Sequence, residues 1–168
     1  MQIISYIIFY LLLERLQKLD NAIVQKILFE IDQIDEHLNS ASPLFDLCKI
    51  KEPDYIEKCA VAMIIHSFYN GIENMILMIV KNKDSNLPSG IKWHKELLNR
   101  AFEKTERRTQ IFRGEMKLPL NEYLRFRHVV RNTYGYQLKW EDMKTLLLNI
   151  DMIWKNTKED IKIFIGNN

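Results

Sequence analysis

"CAVAMIIHSFYNGIENMILMIV", Cys59 to Val80, is apolar around almost its whole circumference when wound as a helix. A helix of that kind has to be surrounded, so the stretch predicts the central helix of a bundle. One stripe breaks the pattern. His66, Tyr69, Asn70 and Glu73 stand at i, i+3, i+4 and i+7, which places all four on one face. Two readings of this stripe are open. It lines a cleft beside another helix, with Glu73 pairing Arg127 or Arg131, or it is a buried polar network that locks two helices together.

The central helix is expected to start near Asp54, after Pro53, and to end near Asn82, before the loop "KDSNLPSG". Upstream, apolar residues recur at Leu12, Leu16, Leu19, Ile23, Ile27, Ile31, Ile34 and Leu38. Spacings of three and four predict a long amphipathic helix, and "NSASP", Asn39 to Pro43, is expected to end it. Downstream, a third helix is expected over roughly Ile91 to Lys104, followed by a polar, basic connection, "TERRTQIFRGEMKLP". A fourth helix starts near Pro119, a residue suited to the first turn, and runs to about Tyr134, with Gly135 as its stop. The last starts near Lys139. The sum is an all-α, up-and-down bundle of about five helices, read as one domain over residues 1–168.

Composition agrees with that plan. Hydrophobic residues make up 47% of 168, which excludes a disordered chain, and five glycines with four prolines disfavour a turn-rich β protein. Cys48 and Cys59 form no CxxC pair, so neither a disulfide framework nor a metal site is expected; two reduced thiols suit a cytoplasmic protein. Ile3 to Leu13 is apolar apart from Ser5, but it is about half the ~20 residues a membrane span needs. It lacks a basic leader and a small-residue cleavage site, so no membrane association or export is expected. The run is read as the start of a buried helix; the alternative is that residues 1–10 are a non-native extension.

Net charge is +2, unevenly spread. Residues 1–90 carry eight Lys/Arg against twelve Asp/Glu, and residues 91–140 carry twelve against five. A basic middle third suits a polyanion on one face, and equally suits a solvated basic surface.

Within that third lies "RFRHVVRNTYGY", Arg125 to Tyr136. On a wheel of about 100° per residue, with Arg127 at zero, Arg131 falls at about 40°, Tyr134 at about −20°, His128 at about 100° and Asn132 at about 140°. Tyr123, Phe126, Val129 and Val130 fall at about 200° to 320°, the arc expected to face the bundle. Two arginines one turn apart repel each other unless an anion lies between them, and guanidinium forks suit phosphate oxygens. Histidine is the side chain able to carry protons near neutral pH. The alternative is structural: arginines paired with acids of another helix.

The segment resembles the signature helix of HEPN domains, and more closely that of the HepT-like toxins, R-x4-H-x-Y. Arg127, His128, Asn132 and Tyr134 occupy those places. The flanks "EYLRFRHVVR" and "YGYQLKWEDM" are similar to the group, as are "IHSFYNGIENM" and "PSGIKWHKELL". The likeness extends from about Leu12 to Phe164. It implies a helical bundle that dimerises, with the motif helices of two chains facing one cleft. It implies metal-independent endoribonuclease activity without a cofactor, in which Arg127 holds the scissile phosphate of RNA. It also implies a partner encoded by an adjacent gene, a minimal nucleotidyltransferase antitoxin that adds AMP to the motif tyrosine, here Tyr134. The departure is Asn132, which stands where the family has histidine. Asparagine has a donor and an acceptor but no useful pKa, so it cannot be a general acid or base. Three outcomes follow: weakened cleavage with Asn132 only orienting the phosphate, proton chemistry taken over by His128, or a non-catalytic subunit that keeps the cleft and the partner.

Overall fold

The computed structural model describes residues 19–167, and the expectations for residues 1–18 lie outside it. Five α-helices and two short 3-10 turns account for the described chain. They are α1 (Asn21–Ile50), α2 (Tyr55–Lys83), α3 (Trp93–Arg100), α4 (Lys117–Asn132) and α5 (Trp140–Asn167), with 3-10 turns at Gly114–Met116 and Gly135–Gln137. The fold is an all-α bundle.

Helix α2 is the hub and packs against each of the other four. It starts where Asp54 and Glu57 cap each other reciprocally. The Glu57 amide donates to the Asp54 carboxylate at 2.9 Å, and the Asp54 amide donates to the Glu57 carboxylate at 2.8 Å. Its length and composition would allow a membrane span, but more than half of its most apolar window is buried inside the bundle, as expected of a core helix. Val61, Ile65, Phe68, Ile72, Met75, Ile76 and Ile79 are sealed from solvent.

Helices α1 and α2 run antiparallel. Nε2 of His37 meets the Ile64 carbonyl at 3.2 Å, while Asn74 donates to Glu30 at 3.3 Å. Between those points Gly71 permits a close approach. A Cβ there would stand 2.7 Å from Cδ1 of Ile34. Phe68 of α2 meets the edges of Tyr123 in α4 and Trp154 in α5, at centroid separations of 5.2 and 6.1 Å. Trp154 and Lys158 both donate to Asp35, which ties α5 to α1. Burial opposes the charge on Asp35, but these donors hold its pKa below the usual carboxylate value.

Four expectations need correction. Helix α1 does not end at "NSASP"; it continues through Pro43 to Ile50. Its buried positions are Ile27, Ile31, Ile34, Leu38, Ala41, Phe45 and Cys48, an unbroken alternation of four and three. Pro43 faces solvent, so burial of that stripe outweighs one lost backbone hydrogen bond. Helix α3 stops at Arg100 rather than near Lys104. The Ala101 carbonyl instead accepts from Ile111 and Phe112 as the chain folds back.

The connection after α3 is also less solvated than its composition implies. Ile111 and Phe112 are buried, and so is Arg108. Arg108 grips Asp84 through two hydrogen bonds of 2.7 and 2.8 Å and caps the carbonyls of Glu103 and Arg100. Finally, α4 ends at Asn132, so Tyr134 lies beyond the helix in extended backbone. Gly135 does not adopt a left-handed stop conformation. Its lack of a side chain serves close approach, since a Cβ there would stand 3.0 Å from Sγ of Cys59 and 3.1 Å from the Tyr55 hydroxyl.

Candidate functional site

Helix α4 lies against α2 with Leu120, Tyr123, Leu124, Phe126 and Arg127 buried. The Tyr123 hydroxyl donates to the Leu146 carbonyl of α5 at 2.7 Å, which fixes the rotation of α4 about its own axis. That rotation departs from the wheel expectation at two places. Arg127 is only 6% exposed, whereas Val129, expected to face the bundle, is 36% exposed.

Arg127 is received by the polar stripe of α2. Its Nε donates to Oδ1 of Asn70 at 3.0 Å, and its Nη2 lies 3.6 Å from Oε2 of Glu73. For Arg127 the structural alternative holds, an arginine paired with an acid of another helix, while Arg131 is exposed. Because Asn70 spends its oxygen on Arg127, its amide nitrogen is the group facing Nδ1 of His66, 3.1 Å away. That makes Nδ1 of His66 an acceptor and places the ring proton on Nε2. Burial, then the charges of Arg127 and Arg131, push the pKa of His66 down, which agrees with a neutral ring.

The other oxygen of Glu73 extends the chain to α3. Oε1 lies 2.8 Å from Nδ1 of His94, so that nitrogen is the donor. His94 is 8% exposed and lies over the Trp93 ring at a centroid distance of 3.6 Å. Burial lowers its pKa, the Glu73 contact opposes this, and Arg127 and His128 add to the lowering. The direction is down, so His94 donates to Glu73 as a neutral ring. One network, His66–Asn70–Arg127–Glu73–His94, thus joins α2, α4 and α3. Sequence reasoning did not single out His94. Its signal was faint: with Leu97 and Leu98 it makes the i, i+3, i+4 buried face of a short helix.

Tyr69 stands apart from its stripe-mates. It is wholly buried, and its hydroxyl has no hydrogen-bond partner among the described residues. Burial pushes its pKa far above the usual tyrosine value.

The remaining motif residues face outward. His128, Arg131 and Asn132 are exposed, and the His128 ring stands edge-on to His94 at 6.3 Å between centroids. The Asn132 amide donates to the His128 carbonyl at 2.8 Å, the preceding turn of its own helix. Beyond the helix end, Tyr134 is 75% exposed and stacks nearly parallel with Tyr136 at 6.1 Å. The structure therefore divides the sequence-selected set. Arg127, Asn70, Glu73 and His66 form an interior network, and His128, Arg131, Asn132 and Tyr134 form an outer face.

The sequence model of one family, described as HepT-like protein, matches residues 60–168, which include α2 nearly whole and all of α3, α4 and α5. The chain belongs to the HepT-like family. The matched span holds every member of the HepT-like network and of its outer face, so the family relationship covers the site and not merely the bundle. No curated protein and no solved structure matches the chain.

Proposed function

We propose that this HepT-like chain is the toxin-type subunit of a two-component module, a metal-independent endoribonuclease whose cleavage is attenuated. The observation that carries the reading is the outer face of α4. An exposed imidazole, His128, shares it with the exposed guanidinium of Arg131 and the amide of Asn132. Arg131 suits an RNA phosphate, and exposed cations elsewhere in the basic middle third, Lys117 and Lys139 among them, suit a polyanion. In the reaction, a ribose 2′-oxygen attacks the adjacent phosphorus, the bond from phosphorus to the 5′-oxygen breaks, and a cyclic phosphate remains. The 2′-hydroxyl must lose a proton and the departing 5′-oxygen must gain one. His128 can serve one of these transfers and Asn132 neither, which is the chemical ground for slow turnover. Two such chains facing each other across one cleft would supply an imidazole each, and we propose a homodimer on that account.

A second reading is favoured by Arg127. Its guanidinium is buried against Asn70 and Glu73 rather than presented to a ligand. A cleft with that arginine engaged and Asn132 in the histidine place suits a non-catalytic subunit that binds without cutting. In both readings the partner is a minimal nucleotidyltransferase antitoxin, and the exposure of Tyr134 supports its modification by AMP. An anionic adduct there would oppose RNA by charge and volume.

The test compares the native chain, His128→Ala and Asn132→His on total RNA, with growth followed in parallel. The nuclease reading expects slow native cleavage that His128→Ala abolishes. Intact RNA with the native chain and cleavage only after Asn132→His would leave the non-catalytic reading in its place. Mass measurement after incubation with the adjacent-gene partner and ATP tests Tyr134, where no gain of one AMP would remove that part of the proposal.

A further inference from the structure

The tyrosine pair beyond α4 is explained neither by packing nor by the proton chemistry above. Tyr134 and Tyr136 are 75% and 73% exposed, yet their rings lie within 14° of parallel at 6.1 Å. Two large rings held in register outside the core leave the outer faces of their stack open to solvent. The backbone that presents them is fixed. Gly135 between them is pressed onto Cys59 and Tyr55 of α2, and the Tyr134 amide donates to the Gln137 side chain at 3.3 Å.

Along the sequence the segment that carries the pair is basic, and Arg131 and Lys139 in it are exposed. From Arg125 to Trp140 the chain carries Arg125, Arg127, Arg131 and Lys139 and no Asp or Glu. An aromatic stack beside cations is the combination that receives single-stranded nucleic acid. The cations track the phosphates, and a base lies on the ring because every base has a π-face.

We propose that Tyr136, with Tyr134, forms a stacking seat for an unpaired base of single-stranded RNA, while Arg131 takes a neighbouring phosphate. The seat rests on the RNA-binding part of the function proposed above and narrows the substrate to unpaired segments, since a base inside a duplex has no free face to offer.

Fluorescence anisotropy with a labelled single-stranded RNA of mixed sequence, 2′-O-methylated so that cleavage cannot intervene, tests this. The same sequence as a duplex is the control, and light scattering reports the oligomeric state of each variant. Tyr136→Ala is expected to weaken single-strand binding roughly tenfold and to leave duplex binding unchanged, while Tyr136→Phe retains native affinity because it keeps the ring. Native affinity in Tyr136→Ala overturns the seat and leaves the RNA reading standing. A change of oligomeric state in Tyr136→Ala without loss of RNA affinity makes the pair a protein interface and also overturns it. Failure of the native chain to bind any RNA removes the RNA reading itself, and the seat with it.

Discussion

Arg127 of α4, itself buried, donates its Nε–H to the side-chain oxygen of the half-buried Asn70 in α2 at 3.0 Å. This places the signature arginine among groups that depend on it. Removing the guanidinium leaves the buried Glu73 carboxylate and the half-buried Asn70 oxygen without a donor from α4. Breaking a buried ion pair from one side costs more than the pair contributes when intact. Arg127→Met is therefore expected to lower unfolding free energy by roughly 3 kcal/mol. Glu73→Gln in the same chain is expected to recover part of it, because the uncompensated carboxylate is then gone. Chemical denaturation of the two single variants and the double variant measures this. Independent, additive losses would show that Arg127 and Glu73 are not coupled. Loss of activity on changing Arg127 thus has to be read beside stability.

The two lowered histidines give the protein a pH response of definite sign. His66 and His94 sit below the ordinary histidine value of about 6.5, mainly through burial. As pH falls through 6.5 the unfolded chain takes up these protons before the folded one does. Stability is therefore lost on acidification, over a window that opens just below 6.5 and closes once the folded rings also titrate. His94→Gln keeps an amide able to donate to Glu73 but cannot titrate. Its unfolding midpoint in urea is expected to fall less steeply between about pH 7 and pH 5 than that of the native chain. Equal slopes would mean that His94 takes up its proton as readily folded as unfolded.

Two buried tyrosine hydroxyls, in contact with the same core, predict opposite outcomes. The Tyr123 hydroxyl donates to the Leu146 carbonyl, whereas that of Tyr69 has no partner among the described residues. Tyr123→Phe removes a made bond and is expected to cost about 1 kcal/mol. Tyr69→Phe removes an unmet donor and is expected to be neutral or stabilising by up to about 1 kcal/mol. Thermal unfolding of both proteins checks the contrast, and equal losses would indicate that the Tyr69 hydroxyl is satisfied in solution.

The central helix, the bundle and the polar stripe were legible in sequence because each rests on periodicity, and burial follows periodicity. The end of α1 is not legible from its local breaker, Pro43, because Ala41, Phe45 and Cys48 continue the alternation of fours and threes past it. Which way α4 turns was not legible. Arg127 and Val129 lie about 200° apart on the wheel, so a rotation of α4 by less than one residue's step of about 100° carries the first inward and the second outward, and Tyr123, Phe68 and Leu146 set that rotation from three different helices. His94 was hidden for a related reason. Its role depends on α3 crossing α2 at Glu73, a tertiary contact that no spacing within eight residues encodes.

The proline inside α1 is expected to be removable. Within a helix it deletes one hydrogen bond to the preceding turn and crowds the carbonyl of Asn39. Its ring is exposed, so no core contact is lost on replacement. Pro43→Ala is expected to stabilise the fold by about 2 kcal/mol, the difference in helix propensity less the entropy that proline removes from the unfolded chain. A rise in urea midpoint at unchanged slope checks it. An unchanged or lower midpoint would show that the backbone constraint of Pro43 is itself needed to keep Ala41, Phe45 and Cys48 on the core.

Arg131 and Arg127 should separate in RNA binding, although both belong to the motif helix. Arg131 is exposed, while Arg127 is committed to Asn70 and Glu73. If a phosphate is neutralised at the outer face, the slope of log affinity against log salt counts that contact. Arg131→Gln is expected to weaken binding of single-stranded RNA and to reduce the slope by about 0.7, the share of one phosphate on a single strand. Arg127→Met is expected to leave the slope unchanged at temperatures where it stays folded, since its charge is already met inside the protein. Titrations at several salt concentrations decide this. A slope reduced by Arg127→Met and not by Arg131→Gln would mean that Arg127 exchanges Glu73 for phosphate when RNA arrives, making the interior network a ligand-operated one.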